Sequence, residues 1–138
     1  MTTTPNRRAL VSGASGDIGG AIARELARQG FAVIAHASSH GARAEALVEE
    51  IRTAGGSAQV ALFDVTDAAA TRTALAALLE AGPIDALVHA AGVHDDAPLA
   101  GMADTQWHRV IDVSLHGFFH LVQPLLLPMF SCLHSSQS

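Results

Sequence analysis

The sequence predicts an α/β fold in which a doubly wound parallel sheet carries helices on both faces. Short apolar runs alternate with segments in which apolar residues recur every three or four positions, a pattern typical of β-α-β units. Glycines follow the first apolar run and end the first helical segments, as expected where strand, turn and helix succeed one another. Because 138 residues make at most one ordinary domain, we expect the four predicted strands to form a single sheet. In a doubly wound sheet their order would be 3-2-1-4.

The predicted elements follow one another in a regular order. The strands are residues 9–11, 31–35, 58–63 and 85–89, and the helices are residues 21–28, 42–54, 68–81 and 104–128. Asp67 precedes the third helix and Asp104 stands at the start of the last one, and both are expected to act as caps, since a carboxylate accepts hydrogen bonds from the free amides of a helix N-terminus. Residues 131–138 show no periodicity and are rich in serine, so we expect them to be disordered.

Composition excludes several classes of protein. All eight basic residues are arginines and tyrosine is absent, so any mechanism that needs a lysine or a tyrosine is excluded. The net charge is −5 and the arginines are scattered along the chain, so we expect no nucleic-acid partner. The single cysteine, Cys132, can form neither an intramolecular disulfide nor a cysteine-based zinc site. The longest apolar stretch, residues 121–130, is too short to span a bilayer and contains Pro124 and Pro128. Since residues 1–8 show no signal-peptide pattern, we expect a cytoplasmic protein without a membrane partner.

The turn after the first strand points to a nucleotide site. Gly13, Gly16 and Gly19 lie between the first strand and the first helix, where glycines let the backbone approach a pyrophosphate. A glycine triplet alone is weak, but this strand-turn-helix context is the one that a dinucleotide fingerprint requires. The alternative is a turn that simply needs positive φ angles.

Four motifs follow one another along the chain: Ser12-Gly13-Ala14-Ser15-Gly16-Asp17-Ile18-Gly19, Asp64-Val65, His89-Ala90-Ala91-Gly92 and residues 107–119. In this order they resemble motifs of the short-chain dehydrogenase/reductase family, and within it the 3-oxoacyl-(acyl-carrier-protein) reductases. The family's counterparts are Thr-Gly-x-x-x-Gly-x-Gly, the adenine contact, Asn-Asn-Ala-Gly and Trp-x-x-Val-x-x-Val-Asn-Leu-x-Gly-x-Phe. The resemblance covers residues 8–129, and Asp96-Ala97-Pro98-Leu99, together with Met102, resembles the acyl-carrier-protein reductase branch. It implies a Rossmann-type fold, truncated after the fourth strand and the following helix, with residues 1–130 as the dinucleotide-binding half.

The resemblance also implies an activity and a set of site residues. The activity is NADPH-dependent reduction of a ketone by hydride transfer, as in fatty acid biosynthesis, with a small-molecule or acyl-carrier-protein-linked ketone as partner. Ser114 stands at the position of the family's catalytic asparagine. The residues expected to bind the cofactor are Ser12, Gly13, Ser15, Gly16, Asp17, Ile18, Gly19, Asp64, Val65, Ala90, Ala91 and Gly92.

The chain departs from the family in its motifs and after them. Asp17 replaces the middle glycine, and its carboxylate favours a helix N-terminus but repels a pyrophosphate nearby. Ala90 replaces an asparagine that anchors the loop beside the cofactor. The family's next strand, with its catalytic serine, and the helix with Tyr-x-x-x-Lys have no counterpart, and residues 131–138 resemble what a frameshift or early stop would leave. Because the tyrosine and lysine act as positioned acid–base groups, we expect this chain not to be catalytically competent.

The end of the second strand favours NADP over NAD. NAD sites usually offer an Asp or Glu about 20 residues past the glycine motif to bind the ribose 2′-hydroxyl. Residues 36–40, His-Ala-Ser-Ser-His, contain no carboxylate. Ser38 and Ser39, with Arg43 as a further candidate, are therefore expected beside a 2′-phosphate. The alternative is that they form an ordinary polar loop.

The histidines raise the question of a metal site. A polar stripe recurs every four positions along the last helix: His108, Asp112, His116 and His120. A period of four drifts around a helix of 3.6 residues per turn, and a catalytic zinc usually needs three converging protein ligands. We therefore expect a polar surface stripe and no metal. His36 with His40, and residues 94–96, are expected to be polar loop groups.

An open sheet and a partly uncovered helix have consequences for assembly. The fourth strand would form an exposed edge, and apolar residues of the 104–128 helix would lose part of their covering, which promotes association. We therefore expect a homo-oligomer formed through this helix. Two other hypotheses stay open: a non-catalytic protein that binds a dinucleotide or a partner, and a gene fragment without a selected role. Saturable NADPH binding would favour the former.

Overall fold

Four parallel strands form a single sheet in the predicted order, with the third, second, first and fourth strands side by side. The computed structural model describes residues 7–39, 41–93 and 97–135. The strands are β1 (Arg8–Ser12), β2 (Ala32–Ala37), β3 (Ser57–Leu62) and β4 (Ala86–His89). The helices are α1 (Asp17–Arg28), α2 (Gly41–Thr53), α3 (Ala68–Glu80), α4 (Asp104–Ile111) and α5 (Gly117–Ser135). A 3-10 turn, Leu99–Gly101, precedes α4, and a π-helical turn, Asp112–His116, joins α4 to α5.

Helices cover both faces of the sheet because successive strand residues point to opposite sides. Val11 and Leu47 belong to the core that the sheet shares with α1 and α2. Leu10, Leu75 and Leu121 belong to the core on the other face, shared with α3 and α5. The doubly wound architecture is thus confirmed. Since all four strands are parallel, the loops that follow them meet at one edge of the sheet.

The start of α1 differs from the prediction. The helix begins at Asp17 rather than at residue 21, because its first turns contain glycines, which the apolar periodicity does not reveal. A Cβ on Gly19 would lie 2.3 Å from the carbonyl oxygen of Gly13, so only glycine lets α1 pack this closely on the preceding turn. Gly13 itself has φ of +66°, a left-handed conformation that side chains disfavour.

The two predicted helix caps have different outcomes. Asp67 caps α3 as expected, since its Oδ1 accepts a hydrogen bond from the amide of Ala70 at 3.0 Å. The prediction for Asp104 is wrong, because this residue already lies in the first turn of α4 and Ala103 occupies the N-cap position. The amide of Ala103 donates to Oε1 of Gln106 at 2.9 Å, so a glutamine side chain in the first turn provides the hydrogen-bond acceptor for the N-cap amide.

The last helix extends further than predicted. Disorder was expected from residue 131, but α5 continues to Ser135, and residues 136–138 lie outside the described part. The Ser131 hydroxyl donates to the Leu127 carbonyl at 3.0 Å, so this serine joins the helix instead of ending it. By length and apolar composition alone, the stretch Asp104–Ser131 could cross a membrane. Within it, Leu121 and Leu125 are buried in the core against the sheet, but only 17% of its most apolar window is buried.

Candidate functional site

A cleft of about 510 Å³ lies at the edge of the sheet where the loops after the strands meet. Its walls come from the glycine turn after β1, the end of β2, and the loops after β3 and β4, with a contribution from α4 and the π-helical turn. This is the edge at which open parallel sheets bind ligands. The lining residues are Gly13, Ser15, Gly16, His36, Ser38, Ser39, Asp64, Val65, Thr66, Ala90, Ala91, Gly92, Val93, Arg109 and Val113.

Most of the predicted cofactor residues line this cleft. The exceptions are Ser12, Asp17, Ile18 and Gly19. Ser12 and Gly19 are buried and hold the glycine turn, whereas Asp17 and Ile18 lie exposed in the first turn of α1. The structure thus brings the four predicted motif regions together, and the binding role of each residue stays a prediction.

The glycine turn lies in close contact with the loop after β4. A Cβ on Gly13 would lie 2.6 Å from Cα of Ala91 and 2.7 Å from its nitrogen. The amide of Gly16 donates to the Gly13 carbonyl at 3.1 Å, and the amide of Gly20 donates to the Gly16 carbonyl at 2.8 Å. Any side chain at residue 13 would push the two loops apart and would open this wall of the cleft.

Ser12 connects the glycine turn to the loop after β4 through its hydroxyl. The amides of Ala90 and Ala91 lie 3.1 and 3.2 Å from Ser12 Oγ, and amides can only donate. The hydroxyl hydrogen is therefore directed to Nδ1 of His89 at 2.8 Å. Ser12 is fully buried and acts as a structural support rather than as part of the cleft surface.

His89 continues this chain of hydrogen bonds to the π-helical turn. Because Nδ1 accepts from Ser12, Nε2 carries the ring hydrogen and donates to the carbonyl of Ser114 at 3.2 Å. Ser114, the predicted catalytic residue, is half-buried and is not among the lining residues of the cleft. Its backbone thus anchors the turn beside the cleft, and a catalytic role for its side chain stays a prediction.

Asp17 forms an ion pair with Arg43. Arg43 Nη2 donates to Asp17 Oδ1 at 3.2 Å, which joins the first turn of α1 to the first turn of α2. Both side chains are mainly exposed, so the pair contributes about 1 kcal/mol or less to stability. Its local effect is electrostatic, because the arginine offsets the carboxylate that would otherwise repel a pyrophosphate at the start of α1.

Five cleft residues were not predicted to bind a cofactor: His36, Thr66, Val93, Arg109 and Val113. The prediction of His36 as a polar loop group is wrong, because this residue lies inside β2 and its side chain is 1% exposed. Its position at the carboxyl end of a predicted strand was the available signal. Arg109 and Val113 lie four positions apart on one helical face, but only the tertiary packing of that helix brings them to the cleft.

The polar stripe on the last helix does not assemble into a metal centre. His116 Nδ1 lies 2.8 Å from Asp112 Oδ1, whereas His120 donates through Nδ1 to the Val65 carbonyl at 2.6 Å. Among the side chains that the structure describes, in residues 7–39, 41–93 and 97–131, no group of three His, Cys, Asp or Glu residues could hold a metal ion. His40 and residues 94–96 lie outside the described residues.

Comparison with known proteins agrees with this geometry. A family model for short chain dehydrogenase matches residues 7–136, and the chain belongs to that family. The 3-oxoacyl-[acyl-carrier-protein] reductase FabG of Aggregatibacter actinomycetemcomitans is 36% identical over 121 residues, which cover 87% of this chain and 50% of that protein. The chain spans about half the length of the relatives it matches.

Solved structures of similar proteins share the fold over a comparable part of their length. A 3-oxoacyl (acyl-carrier-protein) reductase from Agrobacterium tumefaciens C58, with NADP bound, has a TM-score of 0.84 at 31% identity and covers 91% of this chain and 48% of its own. A gluconate 5-dehydrogenase from Burkholderia cenocepacia J2315, in complex with NADP and tartrate, has a TM-score of 0.84 at 34% identity, with coverage of 91% and 49%. The predicted family resemblance is thus confirmed.

Proposed function

We propose that this chain binds NADP(H) in the cleft at the loop edge of the sheet, as the dinucleotide-binding half of a short-chain ketoreductase. The observation that carries the proposal is the cleft itself, which joins a glycine turn at the start of α1 to the ends of the other three strands. Free amides at a helix N-terminus and glycines that let a pyrophosphate approach are what such a cofactor requires. The NADP bound by two similar structures supports the same cofactor class.

The end of β2 supports NADP over NAD. Ser38 and Ser39 line the cleft there, and the segment 36–40 offers no carboxylate to bind a ribose 2′-hydroxyl. Arg43 lies in the first turn of α2, directly after this segment, and supplies a positive charge on the side where a 2′-phosphate would lie. Arg43 is not among the residues that line the cleft, and its ion pair with Asp17 at 3.2 Å offsets part of its charge.

The ketone reduction that we propose belongs to a longer protein of this kind, not to these 138 residues acting alone. The substrate would be an acyl-carrier-protein-linked or small-molecule ketone, and the setting would be the cytoplasm. The chain has neither tyrosine nor lysine, so it offers no pair to protonate a carbonyl and hold the nicotinamide ribose. We accordingly propose cofactor binding without turnover for this chain.

A fluorescence titration tests the proposal. We expect saturable NADPH binding with a dissociation constant in the micromolar range, which corresponds to about 8 kcal/mol of binding free energy, and weaker binding of NADH. Gly13→Val should abolish binding, because a Cβ there would lie 2.6 Å from Ala91 Cα. Gly101→Ala is the matched control, since a Cβ at residue 101 meets nothing within 4 Å.

Circular dichroism of both variants checks that the fold is retained. If the folded wild-type chain does not bind NADPH, the proposal is wrong. If it binds NADPH and NADH with equal affinity, the proposed preference for NADP is wrong. Ketoreduction by the pure chain would contradict the proposed lack of turnover.

A second proposal concerns self-association through residues 104–128. Several large apolar side chains of α4, the π-helical turn and α5 are exposed, among them Trp107, Leu115, Phe118, Phe119 and Leu127. Exposed apolar patches of this kind mark association surfaces. Over the described residues β4 pairs only with β1, so its other edge also offers unpaired backbone groups. The occupant that we propose for this surface is a second copy of the chain.

A further inference from the structure

His36 holds together two walls of the cleft. It is the second-last residue of β2, and its side chain is 1% exposed between the glycine turn and the loop after β3. The amide of Gly13 donates to His36 Nδ1 at 3.1 Å. On the other side of the ring, His36 Nε2 lies 2.7 Å from the carbonyl oxygen of Phe63. One imidazole therefore spans both loops that border the proposed adenosine end of the cofactor.

These two contacts define the protonation state of the ring. An amide can only donate, so Nδ1 must be unprotonated, and a carbonyl can only accept, so Nε2 must carry the hydrogen. Both conditions are met by a single neutral tautomer. The ring also lies against the Phe63 side chain, with ring centroids 4.3 Å apart, which fixes its orientation.

The surroundings favour the neutral form. Burial lowers the pKa of His36 from the ordinary value of 6.5, and His89 lowers it further. The Phe63 carbonyl and the Asp64 carboxylate each raise the pKa by less than burial lowers it, and the net result is a lowered pKa. Asp64 is itself engaged, because its Oδ1 accepts hydrogen bonds from the amide and the hydroxyl of Thr66 at 2.9 and 2.8 Å.

We infer that His36 is a positioning residue for the dinucleotide: its neutral imidazole sets the spacing between the glycine turn and the Phe63–Asp64 loop. This inference deepens the proposed function and rests on it, since the ligand is the cofactor proposed for the same cleft. Protonation would place a hydrogen on Nδ1 opposite the Gly13 N–H, which would break that contact and move the turn. Cofactor binding should therefore weaken at acidic pH because His36, a group of the protein and not of the cofactor, becomes protonated.

The tautomer can be tested without any ligand. The ¹⁵N NMR spectrum of the labelled chain should show His36 with an unprotonated Nδ1 and a protonated Nε2 at neutral pH. The amide resonance of Gly13 should change as His36 titrates below its ordinary value of 6.5. A protonated Nδ1 at neutral pH, or a Gly13 amide insensitive to that titration, would overturn the inference even if the cofactor binds.

Two variants test the effect on binding. His36→Leu removes both hydrogen bonds and should weaken NADP⁺ binding by roughly tenfold, equivalent to about 1.4 kcal/mol. His36→Asn keeps an acceptor near the Gly13 amide and should recover part of that loss. His116→Asn is the matched control, since His116 is 62% exposed and lies away from the cleft lining. Thermal unfolding shows whether each variant is folded at the temperature of the titration.

The pH profile separates positioning from mere structural support. In the wild type the NADP⁺ dissociation constant should rise as pH falls below 6.5, whereas in His36→Asn it should rise less over the same range, because only groups other than His36 can then respond to pH. Parallel profiles would overturn the inference, as would an unchanged dissociation constant in folded His36→Leu. Failure of the wild type itself to bind NADP⁺ would instead contradict the proposed function, on which the inference rests.

Discussion

Ser12 shows how much of the site depends on a single buried hydroxyl. Its oxygen accepts from two amides of the loop after β4, and its hydrogen is donated to His89. Ser12→Ala would remove the Oγ acceptor of the Ala91 amide in a part-buried position, whereas the Ala90 amide would keep its second acceptor, the Ser12 carbonyl, at 3.2 Å. We expect a loss of about 1–3 kcal/mol in the free energy of unfolding, the usual cost of an unsatisfied buried group. Urea unfolding followed by circular dichroism measures it.

The matched variant is Ser12→Thr. It retains the hydroxyl, and threonine is the residue that the family motif carries at this position, so its unfolding free energy should stay closer to that of the wild type. A folded Ser12→Ala chain as stable as the wild type would contradict the role assigned to the hydroxyl.

At the scale of elements, periodicity predicted the strands and helices well where side chains create the pattern. It failed at α1, whose first turns contain Gly19 and Gly20, and at Ser131, where a polar residue continues a helix. The π-helical turn at Asp112–His116 was also not predicted, because the sequence analysis treated residues 104–128 as one continuous α-helix. These features depend on how closely one element approaches another, which a single sequence does not state.

The exposed apolar residues of the final helical region carry a prediction about assembly. Leu115 and Phe119 lie four positions apart and are 59% and 61% exposed. If a second copy covers them, the chain should form dimers or larger oligomers in sedimentation equilibrium at micromolar concentrations. Replacement of both by serine should shift the equilibrium towards monomer, because it removes apolar area worth about 25 cal/mol per Å².

Leu99→Ser is the control for that experiment, since Leu99 is 80% exposed but precedes α4 in the 3-10 turn. A wild-type chain that sediments as a monomer over the same concentration range would contradict the proposed association. Equal effects of the control and the double variant would show that apolar exposure in general, not this helical surface, drives association.

At the scale of the whole molecule, the sequence predicted the location of the site but not the contacts that hold its loops together. Glycine spacing and the motif order located the four loops, because parallel strands bring their carboxyl ends to one edge. The contacts that hold these loops escaped prediction: Arg109 reaches the cleft only through the tertiary packing of its helix, and the strand-end position of His36 does not show which groups its ring contacts. His89 was assigned to a family motif, but its bridge from Ser12 to the π-helical turn is visible only in the structure.

The measurement that tests the account most directly is a ¹H–¹⁵N correlation spectrum of the labelled chain during titration with NADP⁺. We predict that the amides of Gly13, Asp64 and Ala91 shift together and saturate, because they lie on three walls of one cleft. The amide resonances near the amino ends of the strands, around Arg8 and Arg52, should stay unchanged. Shifts confined to those amides, or no shifts in a folded chain, would contradict a dinucleotide site in this cleft.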